Sequence, residues 1–71
     1  MIDFKLRKED EYITLGQLLK AANLVSSGVE AKIVIQDGEV LVNGETDTRR
    51  GRKLREGDEV SFEGTEIRVV R

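Results

Sequence analysis

The chain has 71 residues, with 12 Lys and Arg against 14 Asp and Glu, and contains no His, Cys, Pro or Trp. That length allows a single domain, 1–71, and 38% hydrophobic residues describe a globular chain rather than a disordered one. Without cysteine or histidine there is no disulfide, no thiolate zinc site, no thiol nucleophile and no imidazole base, so packing alone must stabilise the fold.

Ile2, Phe4 and Leu6 alternate with Asp3, Lys5 and Arg7, the period of two expected of a half-buried strand. Thr14 and Gln17 stand at capping-box spacing, and Leu15, Leu18, Leu19 and Ala22 follow at helical intervals. The spacing predicts a short amphipathic helix ending near Asn23, in which Gly16 costs about 1 kcal/mol relative to alanine. Leu24 and Val25 read as an apolar link. Ser27-Gly28-Val29-Glu30 is a second capping box, opening a helix that buries Ala31, Val34 and Ile35 and that Asp37-Gly38 stops. Helices so close in sequence must be neighbours, crossing as a helix-turn-helix unit.

Glu39 to Val42 reads as a strand, and Asn43-Gly44 as a type I′ hairpin turn, whose two positions both take positive φ. The return strand is predicted to start at about Glu45 and to run into a basic segment, with Gly51 marking a bulge or bend. A turn at Arg55 to Asp58, a strand from Glu59 to Phe62, a turn at Glu63-Gly64 and a last alternating strand from Thr65 to Val70 complete the chain. These elements predict an α+β fold, with the helix-turn-helix unit packed on a small, mostly antiparallel sheet. Phe4, Leu24 and Val34 are counted in the core with the apolar residues of the helices and later strands; Leu6 and Val25 are not.

The segment Arg49 to Arg55 holds five of the twelve basic residues and no acid, leaving seven basic against fourteen acidic residues elsewhere. An acidic body with one cationic strip attracts polyanions in one orientation. Four of the five cations are arginines, whose guanidinium groups clamp phosphate oxygens through paired hydrogen bonds. A solvated strand edge that resists aggregation is the plainer reading. Phe4, Tyr12 and Phe62 are the only aromatic residues, and two of them read as buried, which favours recognition of structured RNA by charge and shape over a stacking platform.

Catalysis finds little support. Ser26-Ser27 has no His partner and capping accounts for Ser27; the carboxylates lack calcium-loop spacing, and the glycines stand singly at turns. No enzyme activity, cofactor, metal or small-molecule substrate is expected. No run reaches the roughly 20 apolar residues of a membrane span, and the opening lacks a signal peptide's basic and apolar regions, so a cytoplasmic protein with no membrane partner is expected.

Four segments occur in a telling order: Thr14-Leu15-Gly16-Gln17-Leu18-Leu19-Lys20, Ser26-Ser27-Gly28-Val29-Glu30-Ala31-Lys32, Asp37-Gly38-Glu39-Val40-Leu41-Val42-Asn43-Gly44 and Gly57-Asp58-Glu59-Val60. Together they resemble the S-four RNA-binding domain over about residues 13–62, and the Ser-Gly-x-Glu-Ala-Lys variant is similar to small stand-alone bacterial members. The resemblance implies non-catalytic binding of structured RNA, ribosomal RNA or an assembling ribosomal subunit. It also implies an RNA-facing surface built from Lys20, Ser26, Ser27 and Lys32 at the helices and Arg49, Arg50, Arg52, Lys53 and Arg55 past the hairpin. Thr14 and Gly28 stand where the family usually has arginine, which shifts the expected contacts towards the strip. The alternative is a ubiquitin-like or sulfur-carrier-like protein-interaction adaptor, suggested by Leu54 to Phe62. Sulfur carriers end in two glycines, and this chain ends Val69-Val70-Arg71.

Overall fold

A computed structural model describes residues 1–71, in the order β1 (Ile2–Lys5), β2 (Ile13–Thr14), α1 (Leu15–Ala21), α2 (Gly28–Gln36), β3 (Val40–Val42), β4 (Glu45–Thr46), β5 (Lys53–Leu54), β6 (Glu59–Phe62) and β7 (Thr65–Val70). Five strands form one sheet in the order β1-β7-β6-β3-β4, antiparallel except that β1 runs parallel to β7. A separate two-stranded ribbon joins β2 to β5. The fold is α+β, with the two helices adjacent as their short connection requires.

Register explains the core. Val40 lies opposite Phe62 and Val42 opposite Val60, which in turn pairs with Ile67, so alternation sends these five and Val69 to one face. All six are buried, and they join Leu15, Leu18 and Leu19 of α1 and Ala31 and Ile35 of α2 in a single cluster. Phe4, Leu24 and Val34 are only partly buried, and Leu6 and Val25 enter the core beside them. β1 is an edge strand, which leaves Ile2 48% exposed and Phe4 incompletely covered. Leu6 escapes that fate because its N–H donates to the Val70 carbonyl at 2.8 Å, carrying the parallel ladder past Lys5.

Local chemistry sets the helix ends. Thr14 Oγ1 accepts from the Gln17 N–H while the Gln17 side chain accepts from the Thr14 N–H, the complete reciprocal box. Only half of the second box forms: Ser27 Oγ accepts from the Glu30 N–H, but the Glu30 carboxylate turns to the N–H and hydroxyl of Ser26. Those bonds from Ser26, the backbone one foremost, hold the Glu30 carboxyl below the usual range. Asn23, at φ 62, ends α1: its N–H donates to Lys20 O and that of Leu24 to Leu19 O, the paired bonds of a Schellman cap.

The return strand is shorter than its pattern predicts. β4 ends at Thr46, and the basic run is a loop as far as Arg52, with Lys53–Leu54 forming the separate strand β5. Asp47 is the cause. Its N–H donates to Val40 O at 3.1 Å, and its carboxylate, buried at 5% residue exposure, turns back to accept the Arg49 N–H at 3.0 Å. The chain then reverses tightly, with Arg52 N–H donating to Arg49 O, before β5 begins.

Asn43 does more than supply the turn. At φ 52 it opens the hairpin, its Oδ1 accepts from the Glu59 N–H at 2.9 Å, and its Nδ2 donates to Asp58 at 3.1 Å. The side chain therefore ties the β3–β4 hairpin to the start of β6. Asn43→Ala removes both bonds and places alanine at positive φ, and is expected to destabilise the fold by about 1–3 kcal/mol. Urea unfolding checks this: the midpoint should fall with the m-value unchanged, and an unmoved midpoint contradicts the role.

Candidate nucleic-acid interface

The basic loop is held from two sides. On one side lies the start of α1, where the Leu15 N–H donates to Arg52 O at 2.9 Å and the Gly16 N–H to Arg50 O at 3.0 Å. These amides belong to the first turn of a helix, whose N–H groups have no intrahelical acceptor. The loop carbonyls satisfy them. Gly16 permits the approach, since a Cβ there would stand 2.8 Å from Arg50 Cγ. The glycine that weakens α1 in isolation is thus the seat on which the loop rests.

On the other side lies Asp47. Arg49 donates through Nε to Oδ1 at 3.1 Å and through Nη2 to Oδ2 at 2.8 Å, and Arg52 donates through Nη1 to Oδ2 at 2.6 Å. The Arg49 bonds foremost, with those of Arg52, hold the Asp47 carboxyl far below the usual carboxylate range although burial acts in the opposite direction. Reciprocally, Asp47 raises the Arg49 guanidinium.

The five cations of the strip are therefore not equivalent. Arg49 and Arg52 are both paired with one acid, Arg49 with its side chain still 68% exposed and Arg52 at 29%. Asp47 cancels one of the five positive charges, leaving four. Arg50, Lys53 and Arg55 are exposed and form no ion pair. A shallow depression lies among Arg49, Gly51, Arg52 and Lys53, with no apolar wall.

The helix-side candidates stand apart from that loop. Lys20 is exposed one helical turn beyond Gly16, on the α1 face where Arg50 rests. Ser26 and Ser27 are engaged in the start of α2, and Lys32 is exposed on that helix. No hydrogen bond or ion pair joins these three to the loop.

Sequence reasoning missed Tyr12. Its ring, on a residue 39% exposed, lies 5.1 Å from Lys53 Nζ and 5.6 Å from Arg55 Cζ. Such cation–π contacts hold the long side chains in place. The pairing of β2 with β5, Thr14 opposite Lys53, brings the three together, and no periodicity along the chain announces that ribbon. No group of three His, Cys, Asp or Glu side chains is arranged to hold a metal ion, and no helix is long and apolar enough to cross a membrane.

Asp47 makes stability pH-dependent with a definite sign. Its folded-state pKa lies below the unfolded value of about 4, so its contribution is complete above that value and declines as pH falls towards the folded value. In thermal melts from pH 7 to pH 2, Asp47→Asn should start about 1–3 kcal/mol less stable and converge on the parent protein as acid is added. Parallel curves contradict the assignment.

Comparison with known proteins follows the same geometry. Residues 4–70 match the family model of the S4 domain. The probable ribosome maturation protein RlbA of Bacillus subtilis (strain 168) is 55% identical over 56 residues, 79% of either chain. YbcJ of Escherichia coli (strain K12) is 40% identical over 70 residues, 99% of either chain. The solution structure of YbcJ, described as revealing an ALFAL motif involved in RNA-binding, aligns with a TM-score of 0.75 at 39% identity, covering all of this chain and 89% of that one. From its helix caps to its last strand, this chain belongs to the S4 domain family.

Proposed function

We propose that this protein binds structured RNA without transforming it, and that the RNA is ribosomal, met in the cytoplasm on an assembling ribosomal subunit. The observation that carries the reading is the loop Asp47 to Arg55. It gathers five cations between Arg49 and Arg55, keeps three of them free of acids, and is fastened by main-chain bonds to α1. Two relatives support it: YbcJ through a motif described as involved in RNA-binding, and RlbA through ribosome maturation. The ubiquitin-like adaptor weighed from the sequence shares none of these supports.

In this reading Arg50, Lys53 and Arg55 are the principal phosphate contacts. Arg49 and Arg52 contribute the guanidinium hydrogens that Asp47 leaves unused, and Lys20, Lys32, Ser26 and Ser27 flank the surface from the helices. Structured RNA is favoured over a bare strand because only Tyr12 offers an exposed ring, whereas strand-binding surfaces stack successive bases on several. Outside the loop the chain carries seven basic against thirteen acidic residues, a net negative body that disfavours approach of a polyanion from other directions.

Four net charges correspond to a slope of log affinity against log salt of about −3 to −4, at roughly −0.7 to −0.9 per phosphate. Fluorescence anisotropy with ribosomal RNA fragments measures it. Replacing Arg50 and Lys53 together by alanine should weaken binding about tenfold or more and make the slope shallower by about 2 units, with the fold intact. No binding at low salt, or an unaltered slope in the double variant, would overturn the reading.

A further inference from the structure

Resting on the RNA-binding reading, we propose that the depression among Arg49, Gly51, Arg52 and Lys53 seats a single phosphodiester group, and that the acid Asp47 is its positioning residue. A carboxylate beside a polyanion site is ordinarily a liability. Here its placement reverses the sign of the effect.

Asp47 is buried, pairs with both guanidinium groups and does not itself line the depression. A guanidinium carries five N–H donors. Arg49 spends hydrogens of Nε and Nη2 on Asp47 and Arg52 one of Nη1, so each keeps donors for a second oxygen acid. Pairing with one carboxylate restrains both side chains at the depression that they line. Gly51 leaves the floor open, with nothing within 4 Å of the place a Cβ would occupy, and its N–H donates to no acceptor in the protein. Lys53 closes the rim, steadied by the ring of Tyr12.

Two effects compete. Neutralising Asp47 adds one positive charge to the site, which by long-range attraction alone tightens RNA binding and steepens its salt dependence. It also frees two arginine side chains whose rotamer freedom is already restrained in the unbound protein, a cost that would then fall on binding. The direct hydrogen bonds of Arg49 and Arg52 to a seated phosphate are short-ranged, whereas the added charge is set back from the opening and screened by salt. Positioning therefore outweighs charge.

The test compares the parent protein with Asp47→Asn and Glu45→Gln on one ribosomal RNA fragment by anisotropy across a salt series. Glu45 is exposed, lies two residues away beside the same arginines and forms no ion pair or hydrogen bond with them, so its neutral variant adds the same charge while leaving the Asp47 bonds in place. Glu45→Gln should bind as tightly as the parent or more tightly. Asp47→Asn should bind about tenfold more weakly near physiological salt, where the added charge is screened, even though that charge steepens the slope by up to about 1 unit, because the phosphate is contacted less well. Arg49→Lys is the second variant should Asp47→Asn fail to fold: it preserves the charge but loses the fork that grips Asp47, and the same tenfold loss is expected. Asp47→Asn binding as tightly as Glu45→Gln, or an Arg49→Lys variant indistinguishable from the parent, overturns this inference while leaving RNA binding standing. Absence of binding by the parent protein overturns both.

Discussion

One buried carboxylate shared by two guanidinium groups governs the shape of the loop after the first hairpin. Asp47 ends β4, turns the main chain through its bond to the Arg49 N–H, and fixes two arginines whose charges would otherwise drive them apart. Removing one partner from such a group leaves a buried charge short of compensation, which is why the arrangement is either complete or costly. Complete, it turns the most highly charged stretch of the chain into a defined surface.

That loop is also built into the fold. Its carbonyls satisfy the first amides of α1, its far end becomes β5 in the ribbon with β2, and the turn after β5 is locked to the hairpin through Asp58 and Asn43. The small core and the cationic surface therefore share supports. A chain of this size buries only about 60% of the surface it exposes when unfolded, so it has little stability to spare for a separately braced site.

What could be read from the residues alone was local. The Thr14 box, the Ser27 Oγ cap, the end of α1 at Asn23, the positive φ of Asn43 and the alternation of β3, β6 and β7 each depend on neighbours within a few positions and follow their patterns. The Glu30 half of the second box does not. The features that escaped depend on contacts between distant segments. Gly16 costs its own helix, and the reason for it lies in distant Arg50. Nothing near Tyr12 in sequence hints at Lys53 and Arg55. Asp47 lies only two and five residues from its partners, yet the alternating pattern runs β4 straight through it and hides the pairing. Charge composition shows where the cations gather along the chain; only pairing shows which of them are free.

The parallel contact between β1 and β7 joins residues near opposite ends of the chain, Ile2 with Ile67 and Phe4 with Val69. Closing so long a loop is entropically expensive and is repaid late, while the hairpins β3–β4 and β6–β7 form from near neighbours. Topology thus favours early closure of the two hairpins and late docking of β1, whose partner lies at the far end of the chain.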